Sequence, residues 1–289
     1  MDIKKIGILY HPKVKAAYKL SHELEKPLAD RGISTWICSA WEPEKAKAIL
    51  DNTDLILTSG GDGTILRAVQ VALSTQTPIT GINLGKLGFM TELSASNVLE
   101  ELNTLLDKKS WIDERSMLEA EIISSDKLKE PSPKLYALND IVVARGAIAR
   151  LINIETSIDG GLLTTYRADG VIVATATGST GYSLAAGGPI IHPKAKESLL
   201  VPIMPHLGLI NSLILPSSAV ISLRIITTHE ATLIVDGHIS FHLSDGDIIT
   251  IRHSSRITRF LRIKPETSYY SSLEQKLKGR KQIEPGRKS

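Results

Sequence analysis

An N-terminal α/β domain with a mainly parallel sheet, followed by a C-terminal β-rich, sandwich-like domain, is the fold this 289-residue chain predicts. Three observations carry that expectation. Over residues 1–110 short apolar runs alternate with amphipathic stretches, the pattern of strands covered by helices. After about Trp111 strand-like runs follow one another with turn residues between them and no helical periodicity of comparable strength. The length is enough for two ordinary domains. The expected division is 1–110 as the α/β domain, 111–265 as the β-rich domain and 266–289 as a basic C-terminal tail.

In the first domain Ile6–Tyr10 reads as a buried strand. Val14, Ala17, Tyr18, Leu20, Leu24 and Leu28 then fall near helical spacing, with Gly32 as the stop. Ile33–Cys38 is a second strand, and Pro43–Leu50 a short helix with Pro at its first turn, where the missing N–H costs little. Asp54–Thr58 is a third strand that runs into Gly60-Gly61-Asp62-Gly63-Thr64, with a helix over Ile65–Leu73. Pro78–Ile82 is a further strand and Asn97–Leu106 a further helix. In the second domain the strands are Met117–Ile123, Leu135–Ala144, Ile152–Ile158, Gly170–Ala176, Val220–Ile226, Ala231–Val235 and Asp247–Arg252. Turn signals such as Lys129-Glu130-Pro131-Ser132-Pro133, Asp159-Gly160-Gly161 and Ser244-Asp245-Gly246 separate them.

Composition excludes several classes. With 42 % hydrophobic and 22 % charged residues, wholesale disorder is ruled out. A net charge of +3 suits a small anionic ligand but falls short of the dense basic surface of a nucleic-acid binder. The single cysteine, Cys38, forms no internal disulfide and builds no Cys-type zinc site, which fits a cytoplasmic protein. The opening apolar run is too short for a secretory leader. Ser198–Leu223 lacks charge, but Pro202, Pro205, His206, Gly208, Asn211 and Pro216 interrupt it, so strands and loops explain it better than a membrane helix. The basic tail reads as a solvated end.

The sharpest local feature is Gly60-Gly61-Asp62-Gly63-Thr64. Glycines at the carboxyl end of a parallel strand let backbone N–H groups face phosphate oxygens, and the following helix adds the positive end of its dipole. A carboxylate there repels phosphate, so Asp62 makes sense as a base that takes a hydroxyl proton or as a cation holder. The plainer reading is a helix cap. A second stretch, Thr177–Pro189, offers five hydroxyls on Thr177, Ser179, Thr180, Tyr182 and Ser183 among small residues. It suits recognition of a polyhydroxylated or heterocyclic ligand. No P-loop, dinucleotide fingerprint, nucleophile elbow or H-x-x-x-H pair is present, and no protein-held metal is expected.

Together with Asn83-Leu84-Gly85-Lys86-Leu87-Gly88-Phe89-Met90-Thr91-Glu92 and Leu138-Asn139-Asp140, these two stretches resemble the bacterial NAD kinases in order and spacing over essentially the whole chain. GGDGT alone also occurs in diacylglycerol and sphingosine kinases; TGSTGYSLAAGGP with the upstream Asn-Asp pair is far more specific. The resemblance implies ATP-dependent phosphorylation of NAD at the 2′-hydroxyl of its adenosine ribose. It also implies a divalent cation (Mg) arriving with ATP, no tightly bound organic cofactor, and a site between the two domains.

On the matching positions Asp62 would be the general base, and Gly60, Gly61, Gly63 and Thr64 would meet phosphate. Asn139 and Asp140 would hold ribose hydroxyls; many relatives have Glu in the second place. Arg150, Arg167 and Asp169 fall where the family contacts the dinucleotide, Thr177 and Thr180, Gly181, Tyr182, Ser183, Leu184 and Ala185 would surround the adenine-ribose end, and His238 matches a further contact. Relatives with Gly in place of Arg167 tolerate more substrates, so a preference for NAD over NADH is expected. The family's Ala-Arg-Pro run is replaced here by Ile210-Asn211-Ser212. Expected partners are NAD and ATP, with no nucleic acid and no membrane, in a homo-oligomer (dimer or tetramer). The alternatives are another GGDGT-type kinase acting on lipid or sugar, or a non-catalytic dinucleotide sensor.

Overall fold

A computed structural model describes residues 2–85, 88–107, 110–126, 132–146 and 150–281. Lys86 and Leu87 of the second motif, the turn at Lys129-Glu130-Pro131 and the end of the basic tail lie outside the described residues. The chain begins β1 (Lys5–Tyr10), α1 (Lys15–Glu23), α2 (Glu25–Ala29), β2 (Ser34–Ser39), α3 (Pro43–Ala48), β3 (Leu55–Ser59), α4 (Asp62–Ala72), β4 (Ile79–Asn83), β5 (Leu93–Ser94) and α5 (Val98–Leu106). It continues with β6 (Trp111–Ile123), β7 (Leu135–Ala137), β8 (Asp140–Arg145), β9 (Ile152–Ile158), β10 (Gly161–Ala168) and β11 (Gly170–Ala174). A 3₁₀ turn (Gly178–Thr180) and α6 (Tyr182–Ala185) follow. The last elements are β12 (Ser198–Ile203), β13 (Leu213–Leu215), β14 (Ile221–Ile226), β15 (Ala231–Val235), β16 (Ile239–Leu243), β17 (Ile248–Arg262) and α7 (Ser268–Lys281).

Two compact units result, Met1–Asp113 with Arg259–Ser289, and Glu114–Thr258. The sequence places the first boundary at 110/111 and assigns 259–265 to the second domain; the structure groups 259–289 with the first unit. The reason is Phe260, which pairs in parallel with Ile79, and Leu261, which joins the first unit's apolar core. The expected tail is likewise helical over α7.

In the first unit β4, β3, β1 and β2 pair in parallel in that order, and β5 adds beside β4. Every residue of β3 and β4 is buried, as expected for central strands with helices on both faces. Ile6, Ile8, Leu55, Leu57 and Ile82 pack with Leu20, Leu24 and Leu28 on one helical segment and Leu102 and Leu105 on another. The single helix expected up to Gly32 is broken into α1 and α2 near Leu24. Pro27 has no N–H to offer the carbonyl of Glu23, which accounts for the break. Gly32 ends the second piece with a φ of 75°, the left-handed region glycine occupies at little cost.

The second unit is a sandwich of antiparallel sheets. One has the order β13-β12-β11-β8-β15-β16, and the other contains β10-β9-β14-β17. Val143, Val173 and Leu233 from the first meet Ile154, Leu223 and Ile249 from the second in one core. Central β11 is buried on both faces, because Ile172 and Ala174 point the other way, toward a smaller cluster that includes Leu199, Ala186 and Ile191. That second burial seats the Thr177–Pro189 stretch on the sheet. β12 and β13 fall in the Ser198–Leu223 run expected to hold strands and loops; β10 and β16 were not anticipated in this unit, and the expected strand 135–144 is two strands interrupted at Leu138-Asn139.

Candidate active site

Gly60, Gly61, Asp62, Gly63 and Thr64 lie in the first unit. Gly60 leaves β3 with its N–H donated to the Ile82 carbonyl at 3.1 Å. Gly61 is the N-cap of α4, and Asp62, Gly63 and Thr64 form its first turn, three residues earlier than the sequence suggests. The Thr64 N–H is donated to the Gly61 carbonyl at 2.9 Å, while the N–H groups of Asp62 and Gly63 belong to the open, positive end of the helix. The Asp62 carboxylate does not cap the helix. Its Oδ2 accepts the Phe89 N–H at 2.9 Å and its Oδ1 accepts the Met90 N–H at 3.1 Å. The first two motifs therefore meet at one carboxylate. Gly88 is required beside it, because a Cβ there would collide with the Asp62 carboxylate. The Thr64 hydroxyl is buried without a hydrogen-bond partner.

A buried ion network holds the 88–92 segment. Arg262 Nη1 donates to the Met90 carbonyl at 2.6 Å and to Glu92 Oε2 at 3.3 Å, and its Nε donates to Asp113 Oδ2 at 3.2 Å. Glu92 Oε1 accepts the N–H groups of Ile263 and Lys264 at 2.9 and 2.7 Å. Arg262, Glu92 and Asp113 are 6 %, 5 % and 3 % exposed, so the charges compensate one another rather than water.

The other predicted residues lie in the second unit. Leu138, Asn139 and Asp140 donate their backbone N–H groups to one carboxylate, that of Asp236, at 2.9, 2.7 and 3.2 Å. Thr175 ties the same segment down: its hydroxyl donates to the Leu138 carbonyl at 2.6 Å and its N–H to the Asn139 carbonyl at 2.9 Å. Gly178 sits so close to the Asn139 carbonyl that no side chain fits. The structure thus brings Asn139 and Asp140 together with the start of the hydroxyl-rich stretch. Asn139 Oδ1 and Ser183 Oγ are buried with no hydrogen-bond partner. Burial, then the charge of Asp236, pushes the Asp140 carboxyl up to about 7, while an N–H bond from Tyr182 pulls it the other way.

The hydroxyl stretch itself is tighter than the sequence suggests. Ser179 Oγ donates to the Ala176 carbonyl at 2.7 Å and Thr180 Oγ1 to the Thr177 carbonyl at 3.2 Å, the back-bonding short polar side chains adopt in helical turns. Thr177 Oγ1 accepts from Arg115 at 3.3 Å. Tyr182 and Ala185 are exposed, and Gly181 and Leu184 are half-buried.

Arg167 and Arg150 are exposed; Arg150 lies 3.1 Å from His229 Nε2. Asp169 is ion-paired with Arg145 at 2.6 Å. His238, in the β15–β16 turn, has Nδ1 3.0 Å from the Asp236 carbonyl. Asp236, Arg145 and Arg262 were missed by sequence reasoning. Asp236-Gly237 between two strands signals a tight hairpin turn, and both residues have positive φ (49° and 68°), but nothing local announces a carboxylate that three distant amides share.

Among the described residues no group of three His, Cys, Asp or Glu side chains is placed to hold a metal, and no helix is long and apolar enough to cross a membrane.

Residues 10–110 match the ATP-NAD kinase N-terminal domain and residues 138–263 the ATP-NAD kinase C-terminal domain. An NAD kinase of Dehalococcoides mccartyi is 49 % identical over 276 residues, 96 % of each chain. One from Chloroflexus aurantiacus is 37 % identical over 277 residues, 96 % of this chain and 99 % of its own. Among solved structures, yeast NADH kinase complexed with NADH aligns at a TM-score of 0.86 and 27 % identity, covering 100 % of this chain and 91 % of that one. The NAD kinase of Archaeoglobus fulgidus in complex with ATP aligns at 0.76 and 28 % identity, covering 95 % of this chain and 99 % of that one. With both domain models matched and near-full-length relatives at these identities, the chain belongs to the ATP-NAD kinase family of enzymes.

Proposed function

We propose that the protein transfers the γ-phosphoryl group of ATP to the 2′-hydroxyl of the adenosine ribose of NAD, with Asp62 as general base. The observation that carries this reading is a carboxylate at the N-terminus of α4 that does not cap its helix and is held by two backbone N–H groups instead. A carboxylate has about four lone-pair sites, so two bonds leave room for a hydroxyl proton. Asp62 takes that proton as the ribose oxygen bonds to the γ-phosphorus; the bond from phosphorus to the bridging oxygen breaks, and ADP leaves with the electron pair. The first-turn N–H groups of α4 meet the phosphate oxygens. Magnesium enters as part of the Mg²⁺-ATP substrate and neutralises phosphate charge.

On the same reading Asn139 and Asp140 hold ribose hydroxyls, the first with an Oδ1 that has no other partner. Thr177, Thr180 to Ala185, Arg150, Arg167, Asp169 and His238 contact the dinucleotide, and Arg167 favours NAD over NADH. A homo-oligomer follows from apolar side chains left in the open, Met204 at 72 %, Leu207 at 61 % and Ile210 at 71 % exposure. A cytoplasmic location follows from the single, free Cys38.

The test is incubation of purified protein with Mg²⁺-ATP and NAD, followed by an NADP-specific dehydrogenase assay. Wild type should form NADP, and Asp62→Asn should bind NAD yet lose roughly a hundredfold or more in turnover. Near-normal turnover in that variant refutes the base assignment.

A further inference from the structure

Helix α7 brings Lys276 to the turn that holds Asp62. Its Nζ donates to the Phe89 carbonyl at 3.4 Å and lies 5.9 Å from the centre of the Phe89 ring. The N–H of that same Phe89 donates to Asp62 Oδ2 at 2.9 Å. One residue therefore links the lysine to the carboxylate. On the same helix Lys278 is exposed and paired with Glu274, so the two lysines are placed differently.

This placement is unfavourable for a lysine. Lys276 is half-buried, and burial lowers its pKa below the ordinary lysine value; the positive charges of Arg262 and Lys264, near the end of β17, lower it further. Asp62 on α4 and Glu92 before β5 act in the opposite direction. A side chain with only a packing role would serve better without its charge. A cation kept there against burial and two like charges points to work done by the ammonium.

We propose that Lys276 is a positioning residue for phosphoryl transfer, clamping the Phe89 turn so that its N–H holds the Asp62 carboxylate in line for the ribose hydroxyl. The proposal rests on the reading of Asp62 as base. The clamp is strongest with the protonated ammonium, because a charged donor binds the Phe89 carbonyl more tightly than a neutral amine and only the cation is attracted to the Phe89 ring. Activity then declines as pH rises through the lowered lysine pKa.

The test uses full-length Lys276→Met, Lys276→Arg, Asp62→Asn and the Asp62→Asn/Lys276→Met double variant, with Lys278→Met as control. Lys276→Met should melt at or above the wild-type temperature while kcat falls about tenfold and KM for NAD stays within about twofold, the pattern of a misplaced catalytic group. Lys276→Arg should recover most of kcat and carry its activity to higher pH, because a guanidinium stays charged. In the Asp62→Asn background, removal of Lys276 should cost less than about twofold. Wild-type kcat in Lys276→Met, a loss of kcat matched by a loss of melting temperature, or a full tenfold loss added on top of Asp62→Asn overturns the clamp. Near-normal turnover in Asp62→Asn alone overturns the base reading instead, so the two failures are distinguishable.

Discussion

Asp140→Asn should stabilise the protein at neutral and higher pH while impairing it as an enzyme. Asp140 is 5 % exposed and lies beside Asp236, which is 4 % exposed. Burial first, and the Asp236 charge second, raise its pKa from 3.8 to about 7. The folded pKa is above the unfolded one, so between about pH 4 and pH 7 the folded chain retains a proton that the unfolded chain has released. Stability therefore falls as pH rises through that window, by about 1.4 kcal/mol per pH unit and about 4 kcal/mol in all. An amide has no proton to lose, so the advantage of the variant over wild type should grow by about 3 kcal/mol from pH 5 to pH 8. Urea unfolding at the two pH values measures it, as a midpoint difference at constant slope. The backbone bonds from 138–140 to Asp236 are untouched by the change, so the comparison isolates the carboxyl. A difference between variant and wild type that is the same at pH 5 and pH 8 would refute the argument. In the NADP-formation assay the variant should show a raised KM for NAD, since on the proposed reading the Asp140 carboxylate accepts from a ribose hydroxyl.

Two further outcomes follow from the first unit. Gly88→Ala puts a methyl group against the Asp62 carboxylate and should lower kcat by roughly a hundredfold while the melting temperature changes little; turnover within about twofold of wild type contradicts the placement. Arg262→Met removes the buried guanidinium paired with Glu92 and Asp113 and should cost about 3–5 kcal/mol in urea unfolding. Lys19→Met, which breaks an exposed pair with Glu23, should be nearly silent in the same experiment. Equal effects from both variants argue against a buried network.

Much of the architecture could be read from one sequence because it is written in short-range pattern. Ile6–Tyr10, Leu55–Thr58 and Ile79–Ile82 are mainly apolar runs that belong inside a sheet covered on both faces, and all but the half-buried Tyr10 are buried there. Gly60-Gly61-Asp62-Gly63-Thr64 announced a strand–turn–helix, and α4 begins in it. The hidden parts had weaker signals. β16 has the alternation of a half-buried strand, with Ser240 and His242 exposed between Ile239, Phe241 and Leu243, but over only five residues, and β10 leaves Leu162 and Thr165 exposed in an irregular pattern. α7 carries mixed polar and basic residues without a clear apolar stripe, and it read as a tail.

The chemical vocabulary was therefore legible early: a glycine turn with a carboxylate, an Asn-Asp pair and a hydroxyl-rich stretch. Each is a run of a few neighbouring residues whose conformational needs act locally, which is why order and spacing alone carried the family resemblance. How these groups are held belongs to the folded chain. Asp236 gathers amides 96 to 98 positions away, Arg262 reaches Met90 across 172, and Lys276 reaches Phe89 across 187. A buried charge leaves no periodic trace in sequence, because its partner is set by packing of distant elements and its energy by the water that packing removes.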